Sequence, residues 1–180
     1  MPDAKLDAAA EGATQIQLQN LDTAPTLQYA NDKAKRSTNP RSYPTAEFTL
    51  LDIGFEVKQK LLGKTSNGKG RFVSSDLDTH IAAIAVTRTL DKRHKIYYSF
   101  ANGIMTEGNK TMGTNTNAET DSNDAMTLTT QDPIVNTQFD GEPYAVSSDI
   151  ISGFNLDDLM TETFPGYTKP TTGGTTPAGE

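Results

Sequence analysis

Apolar residues in this chain recur at every second position in short runs, and that spacing constrains the fold more than any other feature. In Thr14-Gln-Ile-Gln-Leu-Gln19, Ile16 and Leu18 fall on one face and the glutamines on the other, as a half-buried strand requires. Thr45-Ala-Glu-Phe-Thr-Leu-Leu51 repeats the pattern through Ala46, Phe48 and Leu50. Two longer strands are predicted from Thr79 to Leu90 and from Lys95 to Met105. The linker Asp91-Lys-Arg-His94 is short enough to join them as an antiparallel hairpin. Ala125 to Thr130 reads as a further strand. Apolar residues make up only 34% of the chain while the charged fraction is an ordinary 22%, so Thr, Asn and Gly fill the difference, and these favour strands and turns. The expectation is a β-dominated chain with a modest core, drawing part of its stability from neighbouring subunits.

One helix interrupts the strands. Ile53, Val57 and Leu61 lie at i, i+4 and i+8, with Asp52 as N-cap, Glu56 four residues before Lys60, and Gly63 as C-terminal stop. Asn67-Gly68 and Lys69-Gly70 mark a turn after it. A second, weaker helical stretch runs from Leu156 to Phe164, with Asp157 and Asp158 in its first turn. The stretch from Asn31 to Pro44 is basic, contains Pro40 and Pro44, and has little to bury, so it is predicted as a long surface loop or hairpin arm. Residues 107–123 read as a polar loop. The division expected is one β domain over residues 1–167 and a flexible low-complexity tail over 168–180.

Charge is distributed unevenly. Residues 1–100 hold 14 Lys/Arg against 11 Asp/Glu, whereas residues 101–180 hold 2 against 12, within an overall −7. Head-to-tail self-association and an acidic surface kept for solubility both fit this asymmetry. A negative chain lacks the phosphate-neutralising charge of a nucleic-acid binder. Without cysteine there is no disulfide, thiol nucleophile or cysteine-ligated metal. The N-terminus has no apolar signal region and no run is long enough to cross a bilayer, so the chain reads as a soluble protein made in the cytoplasm.

The motifs that suggest chemistry are weak. Gly63-Lys64-Thr65 ends a helix where a phosphate-binding loop must open one, and the position five before Gly63 is Lys58. His80 and His94 sit at opposite ends of the predicted hairpin, neither with a partner at i+4, and no Gly-x-Ser-x-Gly elbow occurs. Asp76-Leu-Asp78 and Asp121-Ser-Asn-Asp124 offer oxygen ligands without the glycine and distal glutamate of a calcium loop. Asn109-Lys-Thr111 satisfies a glycosylation sequon that has no secretion signal to give it meaning. No catalytic residue, metal or cofactor is expected, and the chain is read as a non-enzyme.

Several stretches are informative when taken in order: Tyr29-Ala-Asn-Asp-Lys-Ala-Lys-Arg36, Phe48-Thr-Leu-Leu-Asp-Ile-Gly-Phe55, Lys60-Leu-Leu-Gly63, Ser99-Phe-Ala-Asn-Gly-Ile-Met-Thr-Glu-Gly108, Ala118-Glu-Thr-Asp121 and Met160-Thr-Glu-Thr-Phe-Pro-Gly-Tyr167. Together they resemble the major tail proteins of siphophages that infect Gram-positive hosts, especially lactic acid bacteria. The resemblance spans roughly residues 12–167. It implies a mainly β tail-tube fold, a sandwich or partial barrel with one flanking helix and long loops. It also implies a virion protein whose subunits form sixfold rings stacked into a tube, with itself and other tail proteins as partners. DNA would pass through the lumen without specific binding, and no membrane is involved. The family usually begins with a further strand-bearing segment and sometimes continues into an immunoglobulin-like domain. Here the N-terminus reads as short and no such domain follows.

On this reading edge strands pair around a ring and loops join ring to ring. The basic arm, through Lys33, Lys35, Arg36 and Arg41, is expected to meet an acidic surface of the next ring, with Glu119, Asp121, Asp124, Asp157 and Asp158 as candidates. The lumen is expected to be net negative. The alternative is a β-sandwich binding module, an adhesin or receptor-binding tail component, which exposed aromatics clustered on one loop face would favour. A hydrolase would require convergent His and Asp in a pocket.

Overall fold

A computed structural model describes residues 13–50, 53–75, 79–108 and 124–168. Alternation alone carries the first sheet. Strands β1 (Ala13–Gln19) and β4 (Thr45–Leu50), β9 (Gly103–Glu107) and β10 (Asp124–Thr130) assemble antiparallel in the order β1-β4-β10-β9. Cross-strand pairs such as Leu18↔Ala46↔Leu128↔Met105 line one face, which is buried, while Gln17↔Glu47↔Thr127↔Thr106 line the other. A second sheet has the order β11-β8-β7, from Tyr144–Ser148, Lys95–Phe100 and Ala83–Arg88. Two hairpins stand apart from these sheets: β2 (Thr26–Ala30) with β3 (Lys33–Thr38), and β5 (Lys64–Ser66) with β6 (Phe72–Ser74) around the expected Gly-rich turn. Among the described residues the fold is mainly β with two helices, and the sheets do not close into a barrel.

The main core lies between the two principal sheets. Ala46, Leu50, Met105, Met126 and Leu128 from the first meet Ala85 and Phe100 from the second, with Leu128 and Phe100 fully buried. Burying each such side chain contributes on the order of 1.5–3 kcal/mol. The opposite face of the three-stranded sheet is also covered: Tyr97, with Ile84 and Ala145 beside it, packs against Phe139, Phe154 and Leu159. Tyr97 and Phe154 stack at 5.0 Å. Phe139 belongs to a short 3-10 turn over Gln138–Gly141, and Leu159 to helix α2 (Leu156–Thr163). The architecture is therefore two sheets and a helical layer.

Helix α1 spans Phe55–Leu61, shorter at its start than expected, and its N-cap is Gly54 with no side-chain cap; Asp52 lies outside the described residues. Ile53 is buried, and Val57, Leu61 and Leu62 pack half-buried on the main core. Lys58 runs inward to meet Glu107 at 2.6 Å, so α1 is pinned to the end of β9. Gly63 stops the helix as expected, in the left-handed region at φ 71, where its amide reaches the Lys60 carbonyl at 3.1 Å. Helix α2 is capped by Asn155, whose side chain accepts the Asp157 amide hydrogen at 3.0 Å, and Asp157 and Asp158 complement its positive end.

The predicted hairpin needs correction at one point. The strand predicted from Thr79 begins only at Ala83, and it pairs with the Lys95 strand in a different sheet from the Thr45 strand. The β7–β8 pairing holds from Arg88↔Lys95 to Ala83↔Phe100, and there both chains leave the second sheet. His80 bridges Ile104, the Ile81 amide donates to the Gly103 carbonyl at 2.8 Å, and residues from Gly103 onward pair with β10. The hairpin is one ribbon bent across two sheets, with Ala101 and Asn102 at the corner. Asn102, almost fully buried, secures the bend: its Nδ2 donates to the Asp132 carbonyl at 2.8 Å and its Oδ1 lies 2.9 Å from His80 Nδ1.

Candidate assembly surfaces

The stretch predicted as a loop or arm is an ordered hairpin. Asn31 and Asp32, at φ 51 and 57, form the two-residue turn between β2 and β3, a left-handed geometry that Asn and Asp tolerate. Every residue from Asp22 to Arg41 is exposed. The hairpin register sorts its side chains into two faces. Ala30↔Lys33 and Gln28↔Arg36 share one, and Tyr29↔Ala34 and Leu27↔Ser37 share the other. Lys35 is the extra residue of a bulge opposite Gln28. The arm is thus cationic on one side and apolar on the other, with Tyr29 69% and Leu27 46% exposed.

The root of the arm is strapped to the body on both sides. Before it, Tyr144 donates its hydroxyl hydrogen to the Leu21 carbonyl at 2.6 Å, and Thr23 and Ser42 share a hydrogen bond at 3.0 Å. Burial pushes the Tyr144 phenol above its ordinary range, and the carboxylates of Asp22 and Glu142 add to the shift. After it, the Arg41 guanidinium donates to Asp132 at 3.0 Å and to Glu142 at 3.2 Å, and Tyr43 also donates to Asp132. The hydrogen bond that Arg41 donates to Asp132, and then the charge of Glu142, raise the Arg41 pKa further. These are exposed pairs, each contributing about 0–1 kcal/mol, and their role is to fix direction.

Edges without a strand partner among the described residues occur on β1, β7 and β11, while the outer edge of β9 is partly occupied by His80 and Ile81. The outward face of the four-stranded sheet carries Gln15, Gln17, Gln19, Thr45, Thr49, Thr127, Thr129 and Thr106 with Ile104 and Ala125, and among the described strand residues Glu47 is its one charged group. None of the described strand residues on it is Lys or Arg.

A profile of the phage tail tube protein family matches residues 4–172. The chain belongs to the phage tail tube protein family. A search of curated proteins and a search of solved structures each returned no match. Phage tail tube proteins are structural components of the virion tail that assemble with themselves and with other tail proteins. No helix among the described residues is long and apolar enough to cross a membrane.

For a tail tube protein the relevant residues are those that meet another subunit. Lys33, Lys35 and Arg36 are exposed on the arm, and their charged groups make no ion pair with a described residue of the same chain. Arg41 differs, being committed within its own subunit to Asp132 and Glu142. Asp157 and Asp158 stand together in the first turn of α2, Asp124 opens β10, and Glu119 and Asp121 lie outside the described residues. The two histidines have separate structural partners: His80 the corner Asn102, and His94 the Asp149 carboxylate, which also accepts the Lys95 amide hydrogen at 3.0 Å. Sequence reasoning missed Leu27 and Tyr29, although their separation by one residue in an otherwise polar segment was a readable signal. Exposed aromatics are dispersed, with Tyr29 on the arm, Tyr43 at its root and Phe55 on α1.

Proposed function

We propose that this chain is the major tube subunit of a long, non-contractile phage tail. Its copies close into rings, sixfold as the family resemblance implies, and the rings stack into a tube that conducts DNA. Phages of Gram-positive hosts fit the same resemblance. The observation that carries the reading is the arm from Thr26 to Thr38, a regular hairpin exposed along its whole length. An isolated two-stranded hairpin is marginal in water, so an arm of this length with no core of its own is built to be completed by another subunit. Open edges on β1, β7 and β11 supply strand-pairing surfaces for the ring.

Arms joining ring to ring would meet the acidic second half of the chain. No Lys or Arg occurs from residue 111 to residue 168. Each exposed pair contributes about 0–1 kcal/mol, but repetition around every ring makes the small terms act together on each ring addition. Passage of DNA requires a wall without phosphate-binding cations, and the Gln/Thr face of the four-stranded sheet has that character. The acidic excess adds net negative charge to the assembly. The dispersal of exposed aromatics gives no support to the alternative of a binding module. Replacing residues 26–38 by a short Gly-Ser linker should leave a folded subunit that no longer makes long tubes, seen by sedimentation. Tubes of unchanged length would refute the arm's role.

A further inference from the structure

The charges of the arm account for only one of its two faces. Leu27 and Tyr29 stand exposed on the other, next to each other along one strand, with the small Ala34 across from Tyr29. Two large apolar groups held in water on an ordered element call for a receiver that is apolar as well as acidic. Among the described residues two segments have both properties, but at 132–142, where Ile134 and Val135 are exposed, Asp132 and Glu142 are already held by Arg41, which leaves 150–158. From Ile150 to Asp158 the chain exposes Ile150 (55%), Ile151 (66%) and Leu156 (45%) and then presents Asp157 and Asp158. The segment is held in place locally, by the Ile151 amide on the Ser148 carbonyl at 3.2 Å, the Phe154 amide on the Ile151 carbonyl at 3.1 Å and the Asn155 cap.

A competing apolar point can be set aside by its charge. Leu90 is fully exposed on the turn between β7 and β8, but that turn also carries Lys92 and Arg93, the wrong sign for a basic arm. Residues 150–158 contain no cation.

We infer that the β2–β3 arm docks by its apolar face onto the 150–158 segment of a second copy of this chain, its cationic face left outward to steer the approach. Leu27 and Tyr29 cover Ile150, Ile151 and Leu156, while Lys33, Lys35 and Arg36, on the far face, are drawn toward Asp157 and Asp158 only at longer range. The inference rests on the assembly reading above and deepens it by making burial of apolar surface the main source of affinity and charge the source of orientation. These longer-range attractions steer the encounter and weaken with salt, whereas apolar burial does not.

The absence of cysteine allows a direct test. Full-length Tyr29→Cys protein is polymerised with an equal amount of Ile151→Cys, Leu156→Cys or, as control, Val73→Cys protein. The last carries an exposed residue on β6. A short bifunctional maleimide is then added. Docking predicts cross-linked dimers with the Ile151→Cys and Leu156→Cys partners and not with the Val73→Cys partner. It also predicts that Leu27→Ser with Tyr29→Ser raises the concentration needed for polymer by about tenfold or more at both low and high salt. Polymer that forms without those cross-links, or that links equally through Val73→Cys, overturns the docking and leaves self-assembly standing. Failure of the unmodified protein to polymerise overturns the assembly reading, and this contact with it.

Discussion

Gly103→Ala probes the corner on which the two sheets depend. Gly103 opens β9 immediately after the bend, and a Cβ there would lie 2.6 Å from the Thr129 carbonyl oxygen, 2.8 Å from Leu128 Cδ1 and 3.2 Å from Leu128 Cγ. Neither neighbour can yield easily. Thr129 belongs to the β10 ladder, and Leu128 is fully buried in the main core. Overpacking of this kind costs about 1–3 kcal/mol. Weakening the bond from the Ile81 amide to the Gly103 carbonyl adds about 1 kcal/mol. Reduced freedom of the unfolded chain returns about 0.4–1 kcal/mol. The net expectation is a loss of roughly 1–3 kcal/mol, or about 2–12 °C in Tm for a domain of this size. Equilibrium urea unfolding is the assay, read as a lower midpoint at unchanged slope. Gly108 is the control, since a Cβ there meets nothing within 4 Å and its φ is not positive, so Gly108→Ala should be neutral or slightly stabilising. A Gly103→Ala protein as stable as the Gly108→Ala protein would refute the described corner.

Other perturbations separate parts of the account. Phe100→Ala, at a fully buried site between the sheets, should cost about 3–5 kcal/mol, whereas Leu61→Ala on the half-buried face of α1 should cost about 1–2 kcal/mol, and equal losses would contradict the layer order. Thr163 is fully buried, and its hydroxyl has no hydrogen-bond partner among the described residues, so Thr163→Val should leave stability unchanged or raise it by about 1 kcal/mol; a large loss in thermal unfolding would contradict this. Tyr144 has a folded pKa raised above its ordinary value, so its contribution is intact below the unfolded value, about 10, and is lost as pH rises through the folded one. Tyr144→Phe should therefore weaken the protein at neutral pH by losing the Leu21 bond yet flatten the alkaline decline, and an unchanged alkaline slope would contradict this. Reversing Lys35 and Arg36 to Glu should leave the monomer folded and slow tube growth, and growth of the unmodified protein should slow as salt rises; light scattering at unchanged rate would exclude a steering role for these charges.

Strand identity was legible where one face met the core and the other met water. Thr14–Gln19, Thr45–Leu50 and Ala125–Thr130 are such segments, and their alternation is the pleat itself. The Asn155 cap of α2 was less legible than Asp157 and Asp158, because the same residue type serves equally in the turns that surround it. The corner at Ala101-Asn102 was hidden because alternation read as unbroken predicts a straight strand. The parity does break there: Ile96, Tyr98 and Phe100 face the main core, and then Met105 does, five residues later and out of phase. Strand β11 escaped because Tyr144–Ser148 is short and rests on both faces of its sheet, with Tyr144 on the main core and Ala145 on the second. Among the assembly residues the arm's cations were legible from composition. The commitment of Arg41 to Asp132 and Glu142 depended on residues about ninety and a hundred positions away. Leu27 and Tyr29, two apart on β2, were readable as one face, but which β3 residues lie opposite them became visible only with the register, because a bulge at Lys35 shifts which residues share a side.

Self-assembly into a tube is the central claim, and electron microscopy of the purified full-length protein at increasing concentration tests it most directly. The account predicts hollow tubes built of stacked rings, with isolated rings at lower concentration. A field of dispersed monomers at every concentration, or solid aggregates without a lumen, would contradict it.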